Sequence, residues 1–246
     1  MPRFNNIFYT ELLYQTSFRK TSAKERIFTM IKACIFDLDG TLANTLPTLC
    51  YVGNTALENC GFNTVDDARY PTLIGNGANN LVRSLITIAS GREPNDCILK
   101  YVRAEYDKIY AADPLHLTVP YDGIIALLAA LGEREIKTAV LSNKPHDMTL
   151  RVIDGLFEHK FDAVFGQREG VARKPSPDAA LEIAGMLGVS PNEMLFIGDS
   201  GVDMKTGINA GMTSVGVLWG FREREELLES GAHHLIASPD ELLNLL

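Results

Sequence analysis

Cysteine is scarce in this sequence: four residues among 246, at positions 34, 50, 60 and 97, with no C-x-x-C and no paired spacing. No disulfide scaffold or zinc framework can be built from them. Buried free thiols in a reducing, cytoplasmic setting are the expectation, above all for Cys34 and Cys50. Histidine is nearly as sparse, five residues with no H-E-x-x-H, and the His233–His234 pair reads as surface or strand-edge decoration. Long apolar runs are missing too. The longest, IIALLAAL at 124–131, falls far short of the ~20 residues that cross a bilayer, so no membrane partner is expected. Positive charge is in deficit: Lys and Arg total 23 against 31 Asp and Glu, a net charge of −8 with a pI near 5.2. Such a surface repels phosphate backbones, which argues against a nucleic-acid partner. An anionic ligand would need positive charge gathered locally at its site. What remains is ordinary for a globular protein, with 46% hydrophobic and 22% charged residues. The length allows one large α/β domain or a core with a smaller companion.

Residues 1–29 differ from the rest. Arg3, Arg19, Lys20, Lys24 and Arg26 stand against Glu11 and Glu25, a net +3 that leaves −11 for the remainder. No apolar segment follows Arg3, so a secretory leader is not supported. Ile7, Phe8, Leu12 and Leu13 would give one amphipathic helix. An organelle transit peptide fits only the composition, and a non-catalytic extension is the reading adopted for this segment.

From Met30 the pattern changes. IKACIFD (31–37) reads as a buried strand. Residues 45 to about 59 read as a helix, with Asn44 or Thr45 as N-cap and Pro47 in its first turn. Helices continue at 79–90 and 95–111, so 45–117 is an all-helical block, and Pro114 and Pro120 bracket a linker. Strands are predicted at 137–143, 161–166, 194–200 and 213–219, separated by helices near 121–131, 146–155, 177–187 and 202–210. This alternation implies a parallel sheet with right-handed crossovers. The expected fold is an α/β, Rossmann-like core (30–44 and 118–246) with a small inserted helical cap (45–117). Ligands of such sheets sit beyond the carboxyl ends of the strands, where Asp37, Ser142 and Asp199 stand.

Four short runs carry chemistry. In FDLDGTL (36–42), Asp37 and Asp39 lie one residue apart at a strand end, and two carboxylates so close repel unless a cation or a proton intervenes. A hard divalent metal such as Mg²⁺ answers that need. An acidic β–α turn is the plain alternative. In VLSNK (140–144), the Ser142 hydroxyl and the N–H groups after it can hold phosphate oxygens, although Ser-Asn before Pro145 equally suits a turn. In ARKPSPD (172–178), Lys174 precedes a helix and can place its ammonium over an anion; alone, it reads as a solvated loop lysine. In FIGDSGVDMKTG (196–207), Asp203 follows Asp199 by four residues, so both can face one pocket, while Asp199 or Ser200 also suits a helix cap. Together they supply the parts of a metal-assisted phosphoryl-transfer site.

FDLDGTL, VLSN, RKP and IGDSGVD resemble the four signature motifs of the haloacid dehalogenase-like hydrolase superfamily, over Met30 to the C-terminus. The resemblance implies Asp37 as nucleophile and Asp39 as general acid/base. It implies Ser142, Asn143 and Lys174 as phosphate-binding residues, with Asn143 at the rim. Mg²⁺ would be held by Asp37, Asp39 (through its backbone carbonyl) and Asp199, supported by Asp203. Within the superfamily the likeness runs to the phosphoglycolate phosphatase group, through LIGNGANNLV (73–82), SNKP, MLFIGDS and GVLWGFR. It implies a small phosphorylated metabolite as substrate, phosphoglycolate first, with Gly75, Asn76 and Gly77 as cap residues that set specificity. Asn44 replaces an Asp found in many relatives. A phosphomutase, nucleotidase or pyrophosphatase on the same core, or a non-catalytic phosphate-binding regulator, remains the alternative. A dehalogenase would not need Asp39, and a receiver-type signalling module would lack the helical block. The sequence leaves the oligomeric state open.

Overall fold

Ala33–Phe36 (β1) is buried on both faces, as the middle strand of a parallel sheet must be. Its residues alternate. Cys34 and Phe36 join one apolar cluster, Ala33 and Ile35 the other. The computed structural model describes residues 30–246, so the readings of residues 1–29 lie outside it. After β1 come Ala43–Asn44 (β2) and the helices Leu46–Asn59 (α1), Tyr70–Leu73 (α2), Ala78–Ser90 (α3) and Asp96–Ala112 (α4). Val119–Pro120 (β3) follows, then Ile124–Glu133 (α5), Lys137–Pro145 (β4), His146–Leu156 (α6), Ala163–Gln167 (β5) and Asp178–Leu187 (α7). Met194–Gly198 (β6), Gly201–Asn209 (α8), Thr213–Val217 (β7), Arg224–Glu229 (α9) and His234–Ile236 (β8) come next, and a 3₁₀ helix, Pro239–Leu245, ends the chain.

The main sheet is parallel, in the order β5-β4-β1-β6-β7-β8. The chain builds outward from β1 to β4 and β5, then returns to β6 on the other side. The reversal places the ends of β1, β4 and β6 side by side, a crevice that no helix crossover covers. One face is covered by α5 and α6 through Leu127, Leu128, Leu131, Val152 and Ile153, the other by α7 through Ala180, Ile183, Ala184 and Leu187. Cys34 and Cys50 are buried free thiols.

The helices α1 to α4 have an apolar cluster of their own. In α3 the buried residues are Leu81, Val82, Leu85 and Ile86, one stripe at helical spacing. Thr45 is the N-cap of α1, and Asn44 Oδ1 accepts from Leu46 N at 3.3 Å. The two links to the core pair with each other, Ala43 opposite Pro120 and Asn44 opposite Val119, as a short antiparallel ribbon.

Three local features depart from the sequence reading. β4 runs on through Ser142, Asn143 and Lys144 to Pro145, with a register shift against β5 after Leu141. Helix α5 starts at Ile124 because Gly123, in the left-handed region (φ 86°), is its N-cap. The short α9 and β8 were not foreseen. His234 lies in that edge strand, and His233 Nδ1 accepts from Ser214 N.

Candidate active site

Asp37 prolongs β1 by one residue, its N–H donating to Ile197 O at 2.9 Å. The chain then turns tightly, with Leu42 N and Ala43 N both donating to Leu38 O. Gly40 sits in this turn with φ of 84°, and a Cβ there would collide with the Asp199 carboxylate. Only glycine lets the β1 turn come this close to the end of β6.

Lys174 comes up from the loop before α7. Its side chain is 3% exposed, and its ammonium lies 2.9 Å from Asp37 Oδ1 and 2.7 Å from Asp203 Oδ1. Asp203 is held from the other side: its Oδ2 accepts from Ser200 N and Ser200 Oγ, in a capping box at the start of α8. Capping and site-building are thus one arrangement here. Asp199 Oδ2 accepts from Phe221 N at 2.8 Å.

Oxygens of Asp37, Asp199 and Asp203 lie within 4.8 Å of one another, all three residues buried. Three carboxylates meet a single ammonium. Burial pushes Asp37 up to about 7; Lys174 opposes the rise, and the charges of Asp203 and Asp39 add to it. Asp199 is pushed up by burial, then by Asp203 and Asp37. Burial works to lower Lys174, but Asp203 and Asp37 outweigh it and hold its pKa above the usual lysine value. An all-oxygen cluster short of positive charge fits a hard divalent cation such as Mg²⁺.

The Asp39 carboxylate is not in that cluster. It turns away to Lys144, whose ammonium lies 2.7 Å from Asp39 Oδ1 with a side chain 3% exposed. Ser142 is buried at the same strand end, its Oγ accepting from Lys144 N. Asn143 uses both ends of its amide on backbone: Nδ2 donates to Gly75 O and Lys174 O, and Oδ1 accepts from Lys174 N. It therefore orders the Lys174 loop and the cap loop together.

Three successive cap carbonyls are held from the core. Ile74 O accepts from Arg222, Gly75 O from Asn143, and Asn76 O from Arg173. The loop thereby forms one wall of a cavity of about 250 Å³. Asp37, Asp39, Ser142, Asn143 and Lys144 line its core side, and Leu49, Gly75, Gly77, Leu81, Tyr106 and Tyr110 its cap side. Gly75 and Gly77 thus reach the cavity, whereas Asn76 serves through its carbonyl. Gly77 needs its φ of 83°, and a Cβ there would press on the Arg173 guanidinium.

Lys144, Arg173, Arg222, Tyr106 and Tyr110 escaped the sequence reading. Lys144 stands inside VLSNK, where the turn reading of Ser-Asn before Pro145 gives it no task. Positions 103, 106, 107 and 110 share one helix face, a signal indistinguishable from ordinary amphipathicity. No described helix is long and apolar enough to cross a membrane.

The chain is similar to known proteins. The chain is 34% identical over 207 residues to the phosphoglycolate phosphatase of Rhodospirillum rubrum, covering 82% of this chain and 86% of that one. It is 30% identical over 218 residues to the N-acetylmuramic acid 6-phosphate phosphatase of Pseudomonas aeruginosa, covering 88% and 95%. A crystal structure of a Lactobacillus delbrueckii subsp. bulgaricus protein superimposes with a TM-score of 0.82 at 29% identity, covering 87% and 97%. A family profile described as haloacid dehalogenase-like hydrolase matches residues 34–217, a span that takes in all four motifs. The parallel sheet, the acid-lined crevice at its strand ends and this match lead to one conclusion: the chain belongs to the haloacid dehalogenase-like hydrolase family.

Proposed function

We propose that this phosphatase hydrolyses a small phosphomonoester, phosphoglycolate first, through an aspartyl-phosphate on Asp37 and with the help of Mg²⁺. The observation that carries the reading is the Lys174 ammonium between Asp37 and Asp203, with Asp37 and Asp39 both lining the cavity. Asp37 Oδ attacks phosphorus, and the ester oxygen leaves with a proton from Asp39. Asp39, now a carboxylate, takes a proton from water as that water attacks the phosphoaspartate, and orthophosphate departs. Two displacements at one carboxylate replace a direct attack of water on a dianion. Lys174 and the Ser142 hydroxyl bind the phosphoryl oxygens, and Asn143 contributes by fixing the Lys174 backbone. Asp37, Asp199 and the Asp39 backbone carbonyl would hold Mg²⁺, with Asp203 supporting them. Bound there, the ion neutralises charge on the transferred group.

Residues 45–117 serve as the cap over a core of 30–44 and 118–246. The cavity of about 250 Å³ is below the ~300–1,000 Å³ of drug-sized sites, which suits a small metabolite. The relatives support a carboxylated substrate, since glycolate and muramic acid are both carboxylic acids. The test is a Mg²⁺-dependent phosphatase screen over small phosphorylated metabolites. Phosphoglycolate should lead in kcat/KM; a tenfold win for a nucleotide or pyrophosphate overturns the substrate, and no Mg²⁺-dependent hydrolysis overturns the reading.

A further inference from the structure

The cavity carries two polar groups, one from the core and one from the cap, for which this reaction scheme has no task. The Lys144 ammonium has three N–H donors, and Asp39 Oδ1 accepts from one of them. Tyr110 on α4 faces the same ammonium, with its ring centroid 5.1 Å from Nζ. Tyr110 is buried, and its hydroxyl has no hydrogen-bond partner among the described residues. Both residues line the cavity that holds Asp37 and Asp39. The walls around them are apolar, formed by Leu49, Ile74, Leu81 and Met148. A desolvated ammonium with free donors and an unpaired buried phenol are each costly unless a ligand meets them. Arg103 also lines the cavity, but its side chain is 21% exposed, against 3% for Lys144, so its remaining donors can be met by water.

We propose that Lys144 and Tyr110 form a subsite for a carboxylate on the leaving alcohol, so that the enzyme selects phosphomonoesters of small hydroxy acids over those of neutral alcohols. The proposal rests on the phosphatase reading above and names the substrate feature that the reading leaves without a recognising group. Lys174, paired with Asp37, meets the phosphoryl group, and Lys144, paired with Asp39, meets the second anion. Because Lys144 also holds Asp39, the carboxylate it binds brings the ester oxygen next to the acid that protonates it. A neutral tail leaves the free N–H of Lys144 and the Tyr110 O–H unmatched, which is how a hydrogen-bonding site rejects an analogue.

The experiment compares phosphoglycolate with ethyl phosphate, in which a methyl group replaces the carboxylate. Wild type, Lys144→Met, Lys144→Arg and Tyr110→Phe are assayed for kcat and KM, with melting temperature alongside. Wild type should prefer phosphoglycolate. Lys144→Met should reduce that preference by about 10–150-fold, the worth of a charge-assisted hydrogen bond, mainly through KM. Lys144→Arg should recover part of it. Tyr110→Phe keeps the ring, and so the packing, and should weaken the preference in the same direction. If both the Met and the Phe variants kept the wild-type preference, the subsite would be overturned and the phosphatase reading would stand. A wild type that hydrolyses both esters without preference overturns the subsite and the phosphoglycolate assignment together. Hydrolysis of neither overturns the phosphoglycolate assignment and the subsite with it, while the screen over other phosphorylated metabolites decides the phosphatase reading separately.

Discussion

The Lys174 ammonium lies 2.9 Å from Asp37 Oδ1, inside the protein, so the candidate nucleophile is paired before any substrate arrives. The same ammonium serves Asp203 at 2.7 Å. Removing it leaves buried carboxylates facing one another, and breaking a buried pair typically costs ~3–5 kcal/mol. Lys174→Met is therefore expected to lose that order of unfolding free energy in urea at neutral pH, together with most phosphatase activity. A variant as stable as wild type would mean that the acids are neutral in the native protein.

Metal and pH should act on stability together. Asp37 is raised to about 7 by burial, and Asp199 is raised from the same cause, so without metal the native state holds protons that the unfolded chain releases near pH 4. The stability linked to those protons is fully present below about pH 4 and is lost as pH rises toward 7. In EDTA the melting temperature should fall between pH 5 and pH 7.5 by more than the rest of the chain accounts for. Mg²⁺ should reverse the fall, most strongly at the high end. Thermal melts at several pH values, with and without Mg²⁺, read this directly, and a Mg²⁺ effect that ignores pH contradicts it.

Gly40 fits tightly against one of the acids. Gly40→Ala forces a side chain into a positive-φ position and against Asp199, a strain of roughly 1–3 kcal/mol. Because the collision is with Asp199 itself, the loss should appear twice, in the urea midpoint and in a raised Mg²⁺ requirement for turnover. Gly170, also at positive φ but with open space around it, provides the control: Gly170→Ala should cost stability alone.

Asn143→Ala removes one side chain from two loops. It leaves the buried Lys174 N–H without its acceptor and frees the Gly75 carbonyl. The unpaired groups cost about 1–3 kcal/mol of stability. Since the nucleophile is untouched, kcat/KM for the wild-type substrate should fall through both KM and kcat without being abolished. An unchanged KM would show that the cap loop needs no tether from Asn143.

How far the sequence carried follows from what kind of signal each feature leaves. The core strands were legible because β1, β4 and β6 are apolar runs that stop at polar residues. Asp37, Asp199 and Asp203 were found because the spacing of carboxylates at strand ends is itself a chemical statement. The short α9 and β8 have neither length nor periodicity to mark them. Lys144 was hidden by its neighbours, since Ser-Asn-Lys-Pro satisfies every rule for a turn while the chain in fact continues as strand. The tethering of the cap loop was invisible for another reason. Its acceptors are the backbone carbonyls of residues 74 to 76, and every residue has one. Tyr110 belongs to α4, where an aromatic at helical spacing is expected to be core; only the unpaired hydroxyl beside Lys144 sets it apart.

The claim on which the account turns is that phosphorus becomes bonded to Asp37. Rapid acid quenching during turnover of phosphoglycolate with Mg²⁺, followed by peptide mass analysis, measures it. The account predicts one phosphoryl group on the peptide that carries Asp37, absent in Asp37→Asn, with turnover in that variant lower by several orders of magnitude. Phosphate on any other residue, or Asp37→Asn protein that still turns over at a rate near wild type, would contradict it.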